Sequence, residues 1–373
     1  MISTPSASRR FIHAADIHLD SPMLGLNAYE NAPQEQLRGA IRHAFSNLID
    51  LAIERSVDLV VIAGDLYDGN WNEIKTGLYF VGQVQRLINA GIPMVVIRGN
   101  HDAANKMTNQ LRLPKNPDGS DILLDAEQVD RRVFDDLGIV VHGRSYRTRA
   151  ETQDMTIDYP APLRDLFNLG LLHTGLSGLQ GHEPYAPVTP NRLADKGYDY
   201  WALGHIHCRG EHHAPGAAPI VYSGNIQGRH IRESGAKGCL LVDIDDQNQT
   251  TTTFQPLDVA RWDDRCQIDT STISHRDEIA DQFDRFLKAS LTDADQRLLV
   301  PRVRITGETP QHSQWVAQQA QIEADLQAVA IATGGDQVWL EKVRIKTLPP
   351  LSGHLAPGLD DDESVEPLAG PLD

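Results

Sequence analysis

Five short segments set Asp, His or Asn beside small residues at the ends of apolar runs: Asp16-Ile-His18, Gly64-Asp65, Gly99-Asn100-His101-Asp102, His173, and Gly204-His205-Ile-His207. Imidazole and carboxylate together suit Mn, Zn and Fe better than Mg or Ca, which prefer oxygen alone. Side chains two apart on a strand point the same way. Asp16 with His18, and His205 with His207, therefore each offer two side chains to one centre. The glycines let the backbone turn tightly and approach closely there. Two metal ions about 3.5–4 Å apart need a bridging anion, and together they clamp a phosphate and lower the pKa of a bridging water to give a hydroxide nucleophile. A single Asp touching both ions would serve as the bridge, and Asp65 is the natural candidate. Taken singly, a DxH or a Gly-Asp has almost no specificity, and His173 alone reads better as a core histidine bonded to a backbone carbonyl. The ordered series carries the argument.

The segments between these residues say how they are positioned. Residues 9–16 read as a first strand. Residues 35–55 have helical spacing, with Leu37, Ile41, Ala44, Phe45, Leu48, Leu51 and Ala52 on one face. Residues 57–68 hold an apolar strand, Leu59 to Ala63, of the kind buried on both faces. A second helix is expected over 73–90, ended by Gly91, and another buried strand over 92–102. Strand-helix-strand-helix-strand predicts an α/β domain with a parallel sheet component, whose ligands gather at the carboxyl ends of the strands. The loop 103–127 belongs at the rim of the site. Short strands at 138–143, 169–175, 198–207, 218–224 and 237–245 predict a second, partly antiparallel sheet packed on the first. From 271 the pattern changes to helices at 277–290 and 311–330 around a strand at 302–307, which pairs with 338–346. The expected organisation is a main domain over 9–270, a small α+β domain over 271–347, and an acidic, disordered tail over 348–373.

Composition limits the possible partners. The net charge of −17 argues against strong non-specific binding of nucleic acid by this chain alone. A metal-rich cleft can still reverse the local field, and a basic partner subunit could supply affinity. The three cysteines, Cys208, Cys239 and Cys266, are widely spaced and form no disulfide framework. No apolar run reaches the roughly 18 residues of a membrane span, and His13, Asp16 and His18 interrupt the first apolar segment, so a cytoplasmic location is expected.

In order and spacing, DIH (16–18), GDLYD (64–68), GNHD (99–102), the strand-end His173 and GHIH (204–207) resemble the calcineurin-like metallophosphoesterase superfamily over about residues 9–245. The resemblance implies that family's fold, two packed mixed β-sheets flanked by helices, here with a small C-terminal α+β capping domain. It also implies roles. Asp16, His18, Asp65 and His207 would hold one metal. Asp65 would bridge to a second, completed by Asn100, His173 and His205. His101 would stabilise the phosphoryl transition state or protonate the leaving oxygen, with Asp102 orienting it. Asp68 either supports the site or caps the following helix, and a structural role is expected for Asp20.

The opening FIHAADIHLDSPMLGL and the segment IVYSGNIQGRHIRESGAKGCLLVDID resemble the nuclease subunit of the bacterial SbcCD complex and its DNA-repair exonuclease relatives, especially the YhaO-like branch. That implies a DNA exonuclease or phosphodiesterase using two divalent ions, Mn²⁺ first with Fe, Zn or Mg as alternatives. Its partners would be DNA and an SbcC-like coiled-coil ATPase, in a possible homodimer. Arg229 is the first candidate for a substrate contact, followed by Arg209 and His230, with Arg98 and Arg232 behind them. Each is set against the plain reading of a surface ion pair. Trp71 and Tyr185 are candidates to stack a base or merely to pack. Two other readings stay open: a phosphodiesterase of small nucleotides or other small phosphoesters, which the acidity favours, and a non-catalytic scaffold, which the intact ligand set disfavours.

Overall fold

The computed structural model describes residues 9–21, 33–68, 73–103, 112–177, 185–214 and 216–350. The loop expected at the rim is partly outside them, as are Trp71 and the tail from 351 onward.

Two sheets face each other. The first has the order β11-β10-β1-β2-β3, built from β1 (Arg9–Ala14), β2 (Leu59–Ala63), β3 (Met94–Ile97), β10 (Gly238–Ile244) and β11 (Thr250–Pro256). Strands β1, β2 and β3 are parallel. The connections between them are α1 (Gln34–Glu54) and α2 (Ile74–Asn89), where helical spacing placed helices. The second sheet has the order β4-β5-β6-β7-β9-β8, from β4 (Asp130–Phe134), β5 (Ile139–Gly143), β6 (Phe167–His173), β7 (Tyr200–Gly204), β8 (Gly210–His212) and β9 (Ile220–Tyr222). Its centre is parallel, and β4 and β8 pair antiparallel at the edges.

Alternation along β1 and β2 explains why the layers form. Ile12, Val60 and Ile62 face the α1 and α2 residues Ile41, Phe45, Leu48, Phe80 and Val84. Phe11, Leu59 and Val61 point the other way, into a core shared with Val141, Leu169, Leu171 and Tyr200 of the second sheet. A strand buried on both faces has to be apolar throughout, as β2 is.

One expectation is corrected. The segment 237–245 belongs to the first sheet, not the second: β10 runs antiparallel to β1, with Phe11 opposite Val242. The reason is again two-sided burial, since Leu240, Val242 and Ile244 enter the core between the sheets while Cys239 and Leu241 face the helices. Such a strand carries no local sign of which neighbour it will choose.

The C-terminal part builds a smaller sheet around β14 (Leu298–Glu308), which pairs parallel with β15 (Lys342–Leu348). Two further strands join it, β12 (Ala260–Asp263) and β13 (Gln267–Asp269), both parallel to β14. Helix α5 (Arg276–Ala294) and the pair α6 (His312–Ala317) and α7 (Gln319–Gly334) cover it, around Phe283, Leu287, Ile305, Trp315, Leu326 and Val343. Among the described residues, two short α-helices, α3 (Asn100–Ala103) and α4 (Pro190–Ala194), follow β3 and β6. Among the described residues no helix is long and apolar enough to cross a membrane.

Candidate metal centre

The carboxyl ends of β1, β2 and β3 lie beside those of β6 and β7, and the five motifs meet there. The approach is close: a Cβ on Gly64 would stand 2.5 Å from His173 Nδ1, and one on Gly204 would overlap the Ala63 carbonyl oxygen. Asp16, His18, Asp65 and His205 all have left-handed backbone, with φ of 52°, 48°, 54° and 100°. That conformation is costly for side chains other than glycine and persists where surrounding structure enforces it. Gly204→Ala is expected to cost at least about 1–3 kcal/mol, because neither backbone can yield without separating the sheets at the site. Urea denaturation would measure this, and unchanged stability would contradict the close approach.

The imidazoles are held so that one nitrogen is engaged and the other faces inward. His18 Nδ1 is 2.7 Å from Asp68 Oδ1, His207 Nδ1 is 2.7 Å from Glu233 Oε1, and His173 Nδ1 is 2.8 Å from the Ala63 carbonyl oxygen. Each Nδ1 must donate, because its partner only accepts; a neutral ring then has a bare lone pair on Nε2. The Nε2 atoms of His18 and His207 face each other at 3.2 Å. His173 Nε2 faces Asn100 Oδ1 at 3.0 Å and Asp65 Oδ2 at 3.4 Å. Lone pairs and carboxylates converging in a buried space repel one another unless a cation lies among them. Burial opposes charge on His173, yet the Asp65 carboxylate outweighs it and pushes the imidazole up to about 9.

Ligand atoms of Asp16, His18 and His207 lie within 4.8 Å of one another, and so do those of Asp16, Asp65 and His173. Two adjoining groups of nitrogen and oxygen donors fit a pair of divalent ions of the Mn, Zn or Fe kind. Asp16 also accepts the His205 amide, at 3.0 and 3.1 Å to its two oxygens. The His205 ring stands edge-on to His173, centroids 5.3 Å apart, and 5.6 Å from the ring of Tyr185. Tyr185 thus lies at the edge of the site.

His18, Asp68 and His101 form a third group of the same size. Its geometry is that of a hydrogen-bonded bridge: Asp68 Oδ1 takes His18 Nδ1 and lies 3.2 Å from His101 Nδ1, while Oδ2 takes the Ser21 hydroxyl. Although burial opposes it, the bonds from His101 and His18 hold the Asp68 carboxyl far below its ordinary range. In return the Asp68 bond, against burial, holds His101 above its usual value. Asp68 therefore supports the site; the residue before α2 is Glu73.

Asp102 fastens two loops of the site together. Its carboxylate accepts the amides of Leu66 (2.9 Å), Tyr67 (2.8 Å) and Gly99 (3.1 Å), fastening the GDLYD loop to the GNHD turn. The carboxylate on the His101 ring is Asp68. Asp20 is structural as expected, taking Arg42 and Thr76 and so tying the first loop to α1 and α2.

Among the substrate candidates, Arg229 reaches the site. Its Nη1 is 3.3 Å from Ser21 Oγ and 3.8 Å from Asp68, and its Nη2 is 3.3 Å from His207 Nδ1 and 3.4 Å from Glu233. It is a fixed positive charge between two supporting carboxylates. Arg209 lies on the ring of Phe254, 3.9 Å from its centroid. His230 is half-exposed beside Glu233, Arg232 is exposed, and the backbone of Arg98 is bonded to Ser145 and Tyr146.

Two supporting residues carried no motif. Glu233, buried at 6% exposure, accepts His207, the Asn225 side chain (3.0 Å) and the Arg229 amide (2.7 Å). Despite burial, His207 and Arg229 hold its carboxyl well below the usual range. Tyr146 donates to the His173 carbonyl at 2.7 Å, with its ring edge-on to that imidazole. The sequence signal for the first was the Glu ahead of Lys-Gly in the segment 220–245, and there was none for the second.

Comparison with known proteins agrees with this geometry. Residues 9–209 match the calcineurin-like phosphoesterase family model, and residues 262–348 match the middle domain of metallophosphoesterase YhaO. The chain is 36% identical over 240 residues to the uncharacterized metallophosphoesterase YhaO of Bacillus subtilis, covering 63% of this chain and 57% of the relative. It is 24% identical over 246 residues to the DNA double-strand break repair protein Mre11 of Sulfolobus acidocaldarius, covering 63% and 60%. It is 28% identical over 243 residues to that of Sulfurisphaera tokodaii, covering 63% and 59%. The matched region therefore spans less than two thirds of these relatives. With the family model covering more than half of its length and the donor groups in place, the chain belongs to the calcineurin-like phosphoesterases.

Proposed function

We propose that this chain is a phosphodiesterase acting on DNA as an exonuclease, with Mn²⁺ as its working metal. The observation that carries the reading is the position of His101: its side chain is outside both ligand groups, about one third exposed, and braced by Asp68. Asp16, His18, Asp65 and His207 would hold one ion; Asp65, Asn100, His173 and His205 would hold the other. When bound, the ions supply Lewis acidity and an activated water nucleophile. His101 Nε2 then donates to a phosphoryl or leaving-group oxygen while Asp68 keeps Nδ1 occupied. Arg229 adds positive charge on the His207 side, and Arg209 and His230 would be further contacts for the nucleic acid. Asp102 acts through the loop it holds.

The choice of DNA draws on the relatives named for double-strand break repair, which match over 63% of this chain. The net charge of −17 suits a chain that depends on a second subunit for DNA affinity. A coiled-coil ATPase of the SbcC kind and a homodimer complete the proposed assembly.

The test is release of labelled nucleotides from linear DNA with Mn²⁺, beside hydrolysis of bis-p-nitrophenyl phosphate. Cleavage of both supports the proposal. If only the small ester is cleaved, with the ATPase present as well as absent, the substrate is a small phosphoester. If neither is cleaved by the metal-loaded chain, the catalytic reading is lost. Metal binding has its own readout: at Mn²⁺ about 100-fold above Kd the folded state gains about 2.7 kcal/mol. The melting temperature should therefore rise with Mn²⁺ and fall with chelator, and an unchanged melting temperature would count against the site.

A further inference from the structure

The loop between β9 and β10 carries both Arg229 and Glu233 and so fixes His207. What holds the loop is the C-terminal sheet. Gln227, 2% exposed, accepts the amides of Val259 (2.9 Å) and Ala260 (3.3 Å) at Oε1 and donates from Nε2 to the Ala260 carbonyl (2.6 Å). One side chain thus satisfies the backbone at the start of β12 as a neighbouring strand would. Trp262 of β12 donates from its indole nitrogen to the Gly228 carbonyl at 2.9 Å, and its own carbonyl accepts the Gly235 amide at 2.9 Å. The fit is tight: a Cβ on Gly228 would lie 2.9 Å from Trp262 Cδ1 and 2.7 Å from the Glu233 carbonyl oxygen. β12 is in turn a strand of the smaller sheet, with Trp262 opposite Val300 of β14.

We infer that Gln227 and Trp262 are positioning residues of the metal centre, through which the C-terminal sheet holds Glu233 against His207. The chain of contacts is short: Trp262 and Gln227, both buried, set the backbone at 228 and 259–260, the 228–235 turn places the buried Glu233 carboxylate, and Glu233 holds His207 Nδ1 so that Nε2 would face a bound metal. On this account the small sheet is part of the metal site's framework, and movement of the sheet is felt first as a change in metal affinity. The inference rests on the metal-site reading and is independent of the nature of the phosphoester.

The test is Mn²⁺ affinity, read from the free-ion electron paramagnetic resonance signal, for the full chain and for Trp262→Phe. Phenylalanine keeps an aromatic ring in place and removes the indole donor. Loss of one buried hydrogen bond, felt through Glu233, is expected to weaken Mn²⁺ binding about 2- to 10-fold. Val343→Ala, in the core of the smaller sheet, leaves the Trp262 and Gln227 bonds in place and should lower the melting temperature with a smaller change in affinity than Trp262→Phe. Because Trp262 acts through Glu233, its effect should shrink in a Glu233→Gln background. Affinity unchanged in Trp262→Phe, or a loss of the same size in both backgrounds, would overturn the inference. If Trp262→Phe does not fold, Gln227→Met asks the same question with the same outcomes. Retained affinity differences in a chain that cleaves no DNA would remove the proposed substrate and leave this inference standing.

Discussion

His101→Ala is expected to lower turnover of bis-p-nitrophenyl phosphate by about 10²- to 10⁴-fold, the usual range for loss of a positioned general acid, with two Mn²⁺ ions still bound. The separation of the two effects is what the geometry demands. The His101 side chain is not in the Asp16, His18, His207 group or the Asp16, Asp65, His173 group. Its tie to Asp65 is through the backbone, whose amide donates to Oδ1 at 2.9 Å, and alanine keeps that bond. What alanine removes is the imidazole, held by Asp68 at Nδ1 and edge-on to His18 with centroids 4.9 Å apart. Stoichiometry measured by metal analysis after desalting, beside steady-state kinetics, separates the outcomes. Turnover within a few-fold of the native chain would rule out His101 as the acid. Loss of an ion would make it a ligand or a ligand's support.

Glu233→Gln is expected to weaken Mn²⁺ binding by about 10- to 100-fold, the usual effect of losing a carboxylate behind a metal-bound histidine. Glutamine keeps the size and the possibility of accepting at one atom. It removes the charge that makes His207 a stronger donor, and it leaves Arg229 beside an amide where it had a carboxylate. The neighbouring acceptor for His207 Nδ1 is then weaker, and the ring is free to turn. Titration with Mn²⁺ should show one of two sites weakened, because His173 is held separately by the Ala63 carbonyl and Tyr146. Equal weakening of both sites would mean that the loop supports the whole centre. No weakening would remove Glu233 from it.

Asp16, His18, Asp65, Asn100, His101, His173, His205 and His207 could be named as candidates from sequence because local geometry sets each at a strand end or in the turn after it. A residue at the carboxyl end of a buried strand lies at the sheet's end whatever the rest of the chain does; β2 and β3 are apolar throughout, and β1, β6 and β7 are mostly so. The helices α1 and α2 were legible for the same reason, since an apolar face at helical spacing needs only its own segment. The place of Asp102 in the turn was legible, but the backbone amides it accepts were not. On the short helix α3 its side chain turns back to the Leu66, Tyr67 and Gly99 amides.

The sequence by itself determined an α/β framework, the order of its donor-bearing strand ends, and a chemistry of paired metals and phosphoesters. Tertiary structure alone decided what stands behind those donors. Asp68 meets His18 across 50 positions of chain, Glu233 meets His207 across 26, and Gln227 meets Ala260 across 33. It also decided that β10 returns beside β1 and that β12 and β13 join the C-terminal sheet. The physical reason is that strand and helix periodicity is a property of neighbouring residues, whereas a loop carboxylate finds its imidazole only after the sheets have packed and brought distant backbone together.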